Sequence, residues 1–126
     1  MSTVKIKDKE FAISIPEEKI LAEVDRLAKQ ISQDFEGKNP LFLGVLNGSF
    51  MFAADLFRRI TIPAEISFVK LASYEGTAST GVIKEVIGLS ENITGRPIII
   101  VEDIVDTGCT MRKLIENLGT RSPESI

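Results

Sequence analysis

Ile98-Ile-Ile-Val-Glu-Asp-Ile-Val-Asp-Thr-Gly-Cys-Thr110 is the stretch on which the fold turns. Ile98 to Val101 is an uninterrupted β-branched run with no polar alternation, the pattern of a parallel strand covered on both faces and expected in the middle of a sheet. Glu102 and Asp103 end that strand abruptly. A Gly-containing loop then opens a helix predicted over Thr110 to Leu118, with Gly119 as its stop. In an open parallel sheet, ligands bind at the carboxyl ends of strands such as this one.

The residues after the strand carry chemistry suited to a phosphorylated sugar. Thr107, Gly108, Cys109 and Thr110 can turn successive backbone N–H groups and two hydroxyls toward an anion beside a positive helix end. Gly108 allows the backbone to approach closely. Glu102 and Asp103 would point opposite ways on a strand, so they share a ligand only if the strand has ended there. A plainer reading makes Asp103 or Asp106 a helix cap and Glu102 an exposed strand end. Against it stands mutual repulsion: three carboxylates within five residues cost of order 1 kcal/mol or more per close pair when partly buried, so hydroxyls, cations or a substrate must compensate.

Outward from this segment, strand and helix patterns alternate. Phe11 to Ile15 is a short strand candidate, and Pro16 suits the first turn of a helix whose Ile20, Leu21, Val24, Leu27, Ala28 and Ile31 recur at helical spacing. Gly37-Lys-Asn-Pro40 breaks it, and Leu41-Phe-Leu-Gly-Val-Leu46 has the length and apolarity of a buried parallel strand. Ser49 is placed to cap the next helix, with Phe50, Ala53, Ala54 and Phe57 on one face and Arg58-Arg59 at its negative end. Ala64 to Leu71 and Val82 to Leu89 read as strands around a small, polar loop, Ser73 to Gly81. The pattern predicts an α/β fold, a mostly parallel sheet flanked by helices, in a single domain over 1–126.

Composition narrows the function. Cys109 is the only cysteine and histidine is absent, which excludes an internal disulfide, a Cys-rich zinc site and histidine-dependent nucleophilic catalysis. The net charge of −3 arises from 15 basic and 18 acidic residues, which offers no basic footprint for nucleic acid. Apolar runs are far shorter than a membrane span, and a cytoplasmic protein is expected.

The chain resembles the type I phosphoribosyltransferases. Val101-Glu-Asp-Ile-Val-Asp-Thr-Gly-Cys-Thr-Met111 is similar to that family's fingerprint for 5-phosphoribosyl 1-pyrophosphate (PRPP), in the form of the hypoxanthine-guanine branch. Leu43-Gly-Val-Leu-Asn-Gly-Ser-Phe-Met-Phe52 resembles the branch's first active-site loop, and Ser73-Tyr74 with Ser79-Thr-Gly81 resembles its mobile catalytic loop. The three occur in the family's order and spacing over nearly the whole chain.

This resemblance implies a Rossmann-like core and purine salvage: transfer of phosphoribosyl from PRPP to hypoxanthine and guanine, giving IMP or GMP and pyrophosphate, with Mg2+. Asp106, Thr107, Gly108, Cys109 and Thr110 would hold the 5′-phosphate. Glu102 and Asp103 would serve the ribose hydroxyls and, through them or water, the metal. Leu46, Asn47, Gly48 and Ser49 would bind pyrophosphate, with a cis peptide at Leu46-Asn47; Asn47 stands where many relatives carry lysine. Asp106 would act as general base or acid at N7 of the purine, and Ser73 and Tyr74 would close over the reaction. A homo-oligomer, dimer or tetramer, is implied.

The resemblance also implies truncation before the last core strand or strands and most of the hood, where relatives carry the base-reading lysine and aromatic, so that these 126 residues alone would be impaired. The alternatives are a non-catalytic PRPP- or nucleotide-binding regulator and a xanthine-guanine or pyrimidine phosphoribosyltransferase. An intact mobile loop and the absence of a basic groove weigh against a regulator.

Overall fold

Leu41-Phe-Leu-Gly-Val-Leu46 has no polar side chain to turn toward water, and the protein builds its sheet around it. The computed structural model describes residues 3–73, 83–104 and 108–126, with the backbone alone at 72–73, 83–87 and 109. The elements are β1 (Thr3–Ile6), β2 (Lys9–Ala12), α1 (Glu17–Asp34), β3 (Leu41–Leu46), α2 (Phe50–Phe57), β4 (Glu65–Ser73), β5 (Ile83–Ile87), β6 (Ile98–Val101) and α3 (Cys109–Gly119). The main sheet has the order β5-β4-β3-β6, with β4 and β6 parallel to β3 and β5 antiparallel to β4. The expected mostly parallel α/β sheet is what forms.

Strand alternation sorts the apolar residues into two layers. Leu41, Leu43, Val45, Val69 and Ile98 pack with Leu114 and Leu118 of α3 on one face. Phe42 and Val101 turn to the other, against Val24 and Ala28 of α1 and Ala53 and Leu56 of α2. Phe42 meets Phe57 edge to face, with ring centroids 5.4 Å apart. Each fully buried leucine contributes roughly 1.5–3 kcal/mol by leaving water, so this central strand holds both layers.

Four expectations need correction. β6 lies at the edge of the sheet, not its middle, and Ile99 and Ile100 are only half buried. A β-branched run reports that its faces are covered, but not which strands flank it. On its outer side the tail begins to pair: Pro97 bridges Ser125 in parallel, and the Ile98 N–H donates to the Ser125 carbonyl at 2.9 Å. The strand expected at Phe11 to Ile15 is instead Lys9–Ala12, paired antiparallel with Thr3–Ile6. That hairpin is exposed throughout, so no burial pattern marks it.

Ser49 occupies the N-cap position of α2 without capping it. Its hydroxyl donates backward to the Val45 carbonyl at 2.6 Å, because an αR backbone at residue 49 directs the chain into the helix before a cap can form. Finally, Gly119 is the last residue of α3 and not its stop; the helix closes on Thr120, itself still αR.

Candidate active site

Register places the candidate segments at one edge of the sheet. Gly44 stands beside Val101 and Leu46 beside Lys70, so β3, β4 and β6 all end on the same side, their carboxyl side. The 46–49 loop leaves β3 there, Ser73 ends β4 there, and Glu102 and Asp103 follow β6. Gly108 opens α3 with φ +83°, a left-handed conformation that a side chain would strain, and its carbonyl accepts the Arg112 N–H at 2.8 Å. Thr110, in the first turn, is exposed. Asp106, Thr107 and Tyr74 lie outside the described residues, as do the side chains of Ser73 and Cys109.

The Leu46-Asn47 peptide is cis, as the resemblance implied. After it the loop closes tightly: the Phe50 N–H donates to the Asn47 carbonyl at 3.2 Å and the Ser49 N–H to the Val45 carbonyl at 3.4 Å. The Ser49 side chain is completely buried, so its hydroxyl secures the loop to the end of β3 instead of facing a ligand. Among the described residues, the Asn47 and Gly48 N–H groups donate to no backbone carbonyl.

β6 stops at Val101, so the two acids escape strict alternation. The Asp103 N–H donates to Glu102 Oε1 at 2.9 Å, and the Ile104 N–H donates to Asp103 Oδ1 at 2.7 Å. Partial burial, together with the neighbouring Asp103 carboxylate, pushes Glu102 above its ordinary range. The hydrogen bond from the Glu102 carboxyl, and then the Ile104 N–H, hold Asp103 below its own. A proton therefore rests on Glu102 in preference to Asp103, and the exposed Asp103 stays anionic.

One relationship was not foreseen from the sequence. The Asp103 carboxylate lies against the Cα of Gly48: a Cβ built there would overlap the carboxylate, 2.7 Å from its Cγ. The pyrophosphate-loop candidate and the acidic end of β6 are therefore in contact. Glu102 lines a groove of about 530 Å³ beside β6 with Ile99, Ile100, Met111 and Ile115. No cluster of three or more acidic or cysteine ligands able to hold a metal occurs among the described residues. Nor is any described helix long and apolar enough to cross a membrane.

A mostly parallel sheet whose carboxyl edge carries a tight loop, a pair of carboxylates and a glycine-led helix start defines an α/β protein with a candidate ligand site at that edge. The phosphoribosyl transferase domain model matches residues 15–126, and the chain belongs to that family. It is 40% identical over 117 residues to the hypoxanthine phosphoribosyltransferase of Salmonella typhimurium, covering 90% of this chain and 66% of that protein. The hypoxanthine-guanine phosphoribosyltransferase of Dictyostelium discoideum is 40% identical over 115 residues, covering 87% of this chain and 64% of its own. A crystal structure of a hypoxanthine phosphoribosyltransferase from Staphylococcus aureus superposes with a TM-score of 0.84 at 35% identity, over 90% of this chain and 62% of that one. The chain thus spans a little under two thirds of the length of these relatives.

Proposed function

We propose that the protein transfers the phosphoribosyl group of PRPP to hypoxanthine and guanine, releasing pyrophosphate and forming IMP or GMP. The observation that carries this reading is the convergence of the 46–49 loop, the Glu102–Asp103 pair and the Gly108 helix start on one sheet edge. The names of the relatives supply the purine.

In this reading the N–H groups of Asn47 and Gly48 face the pyrophosphate, and residues 106–110 cradle the 5′-phosphate at the positive end of α3. Glu102 and Asp103 accept from the ribose hydroxyls. Asp106 exchanges a proton with N7 of the purine, and Ser73 with Tyr74 excludes water. Displacement at the anomeric carbon passes through a cationic sugar, so fixed carboxylates stabilise the transition state, and histidine is not needed.

Mg2+ fits the donor set: two hard carboxylates, one of them exposed and anionic, suit an ion that is bound by one or two acids and arrives with substrate phosphates. When bound it neutralises the leaving pyrophosphate. We place the enzyme in the cytoplasm as a homo-oligomer, which light scattering of the purified protein would test. The activity test is an assay with magnesium PRPP and, in turn, hypoxanthine, guanine, xanthine and uracil, beside calorimetric binding of PRPP and IMP. Turnover of hypoxanthine supports the reading; turnover of uracil alone, or binding of neither phosphorylated ligand, overturns it.

A further inference from the structure

Gly48 and Asp103 follow the paired strands β3 and β6, and the carboxylate of one occupies the side-chain space the other lacks. Ordinary van der Waals separation from a Cβ is 3.4–4 Å, whereas all three nearest atoms at position 48 belong to the Asp103 side chain, with Cγ at 2.7 Å and Oδ1 at 3.2 Å. Asp103 is held from behind as well, since Oδ1 accepts the Ile104 N–H at 2.7 Å. A carboxylate beside an anion-binding loop has no hydrogen to give a diphosphate and repels it. Its place there needs another reason.

We propose that Asp103 is a positioning residue for the 46–49 loop, its carboxylate seated in the gap at Gly48 so that the loop and the acidic end of β6 keep one fixed separation. The proposal rests on the reading of 46–49 as the diphosphate loop. Gly48 is required because any Cβ displaces the carboxylate, and Asp103 because a shorter side chain leaves the loop without its support. The 5′-phosphate cradle at Gly108 to Thr110 lies outside this contact and is independent of it.

The test is a double-mutant cycle on the full 126-residue chain with Gly48→Ala, Asp103→Ala and both, plus Asp103→Asn, titrated with magnesium pyrophosphate and separately with methyl phosphate, which reads the 5′-phosphate cradle without the ribose hydroxyls that Asp103 serves. Gly48→Ala is expected to weaken pyrophosphate about tenfold and methyl phosphate by less than about twofold; in the Asp103→Ala background it costs less than about twofold for either. Asp103→Asn, which keeps the shape, retains pyrophosphate binding that Asp103→Ala loses. An equal Gly48→Ala penalty in both backgrounds, or an Asp103→Asn as weak as Asp103→Ala, overturns the proposal. If the unmutated chain binds neither ligand, the diphosphate reading fails instead. The thermal midpoints still decide the contact: Gly48→Ala must lower the midpoint by several degrees in the native background and leave it unchanged beside Asp103→Ala.

Discussion

Glu102 bends back on its own chain to accept the Asp103 N–H at 2.9 Å, and the two carboxyl groups shift one another in opposite directions. The pair therefore acts as one titrating unit after the end of β6, and the first proton it takes up as pH falls goes to the more buried member.

Carboxyl-carbon NMR should resolve that order, with Glu102 titrating above the ordinary glutamate range and Asp103 below the ordinary aspartate range. Glu102 binds its proton more tightly folded than unfolded, so its contribution to stability is present at acid pH and disappears as pH rises through its raised value. Asp103 behaves oppositely: its contribution is present above the ordinary aspartate range and is lost as pH falls through its lowered value. Removing the hydrogen-bonding neighbour with Glu102→Ala should move Asp103 upward, whereas Glu102→Gln, which keeps a donor, should move it less. Two carboxyls titrating together at ordinary values would contradict the coupling.

Position 44 should tolerate no added carbon. A Cβ on Gly44 would stand 2.7 Å from the Phe68 ring, inside the layer between the sheet, α1 and α2. Gly44→Ala is expected to cost about 1–3 kcal/mol through overpacking. Gly119 has no described residue within 4 Å of its would-be Cβ, and in the last turn of α3 Gly119→Ala should stabilise by about 0.4–1 kcal/mol. Denaturant unfolding of the two variants checks the contrast, and equal effects would deny the packing difference.

Ser49→Ala should destabilise although it removes only one oxygen. The lost bond is buried and 2.6 Å long, against 3.4 Å for the bond the Ser49 N–H gives the same carbonyl, a loss of about 1–2 kcal/mol. Thermal unfolding measures it. A midpoint indistinguishable from the unmutated chain would mean that the hydroxyl secures nothing.

What the sequence disclosed follows from what kind of interaction each residue makes. Leu41 to Leu46 was legible to the residue because full burial removes every polar position, and α1 was legible because Pro16 and a helical repeat report on a single element. The hairpin β1-β2 was not, because its Val4, Ile6 and Phe11 remain exposed and leave no one-sided pattern. β6 was recognised as a strand and misplaced in the sheet, since order is a property of partners and not of composition. The site divides in the same way. Acids after an apolar strand and a glycine before a helix are local signals. The seat of Asp103 on Gly48 depends on the pairing of Gly44 with Val101, and Ser49 gave a capping signal whose hydroxyl found a nearer carbonyl.

Residue 108 offers a test of the phosphate cradle that packing cannot confuse. Among the described residues no atom lies within 4 Å of a Cβ built there, so Gly108→Ala meets no clash with them and pays for holding φ +83°, a cost of about 1–2 kcal/mol for an L residue. The backbone can escape that cost by leaving the left-handed region, which turns the first N–H groups of α3 away from the anion they are read to hold. Ribose 5-phosphate affinity should then fall about tenfold, while the 46–49 loop between β3 and α2, proposed to hold pyrophosphate, keeps its affinity for it within about twofold. Calorimetric titration with both ligands decides it: equal weakening of the two would show that residue 108 supports the fold as a whole, and unchanged ribose 5-phosphate binding would remove the start of α3 from the site.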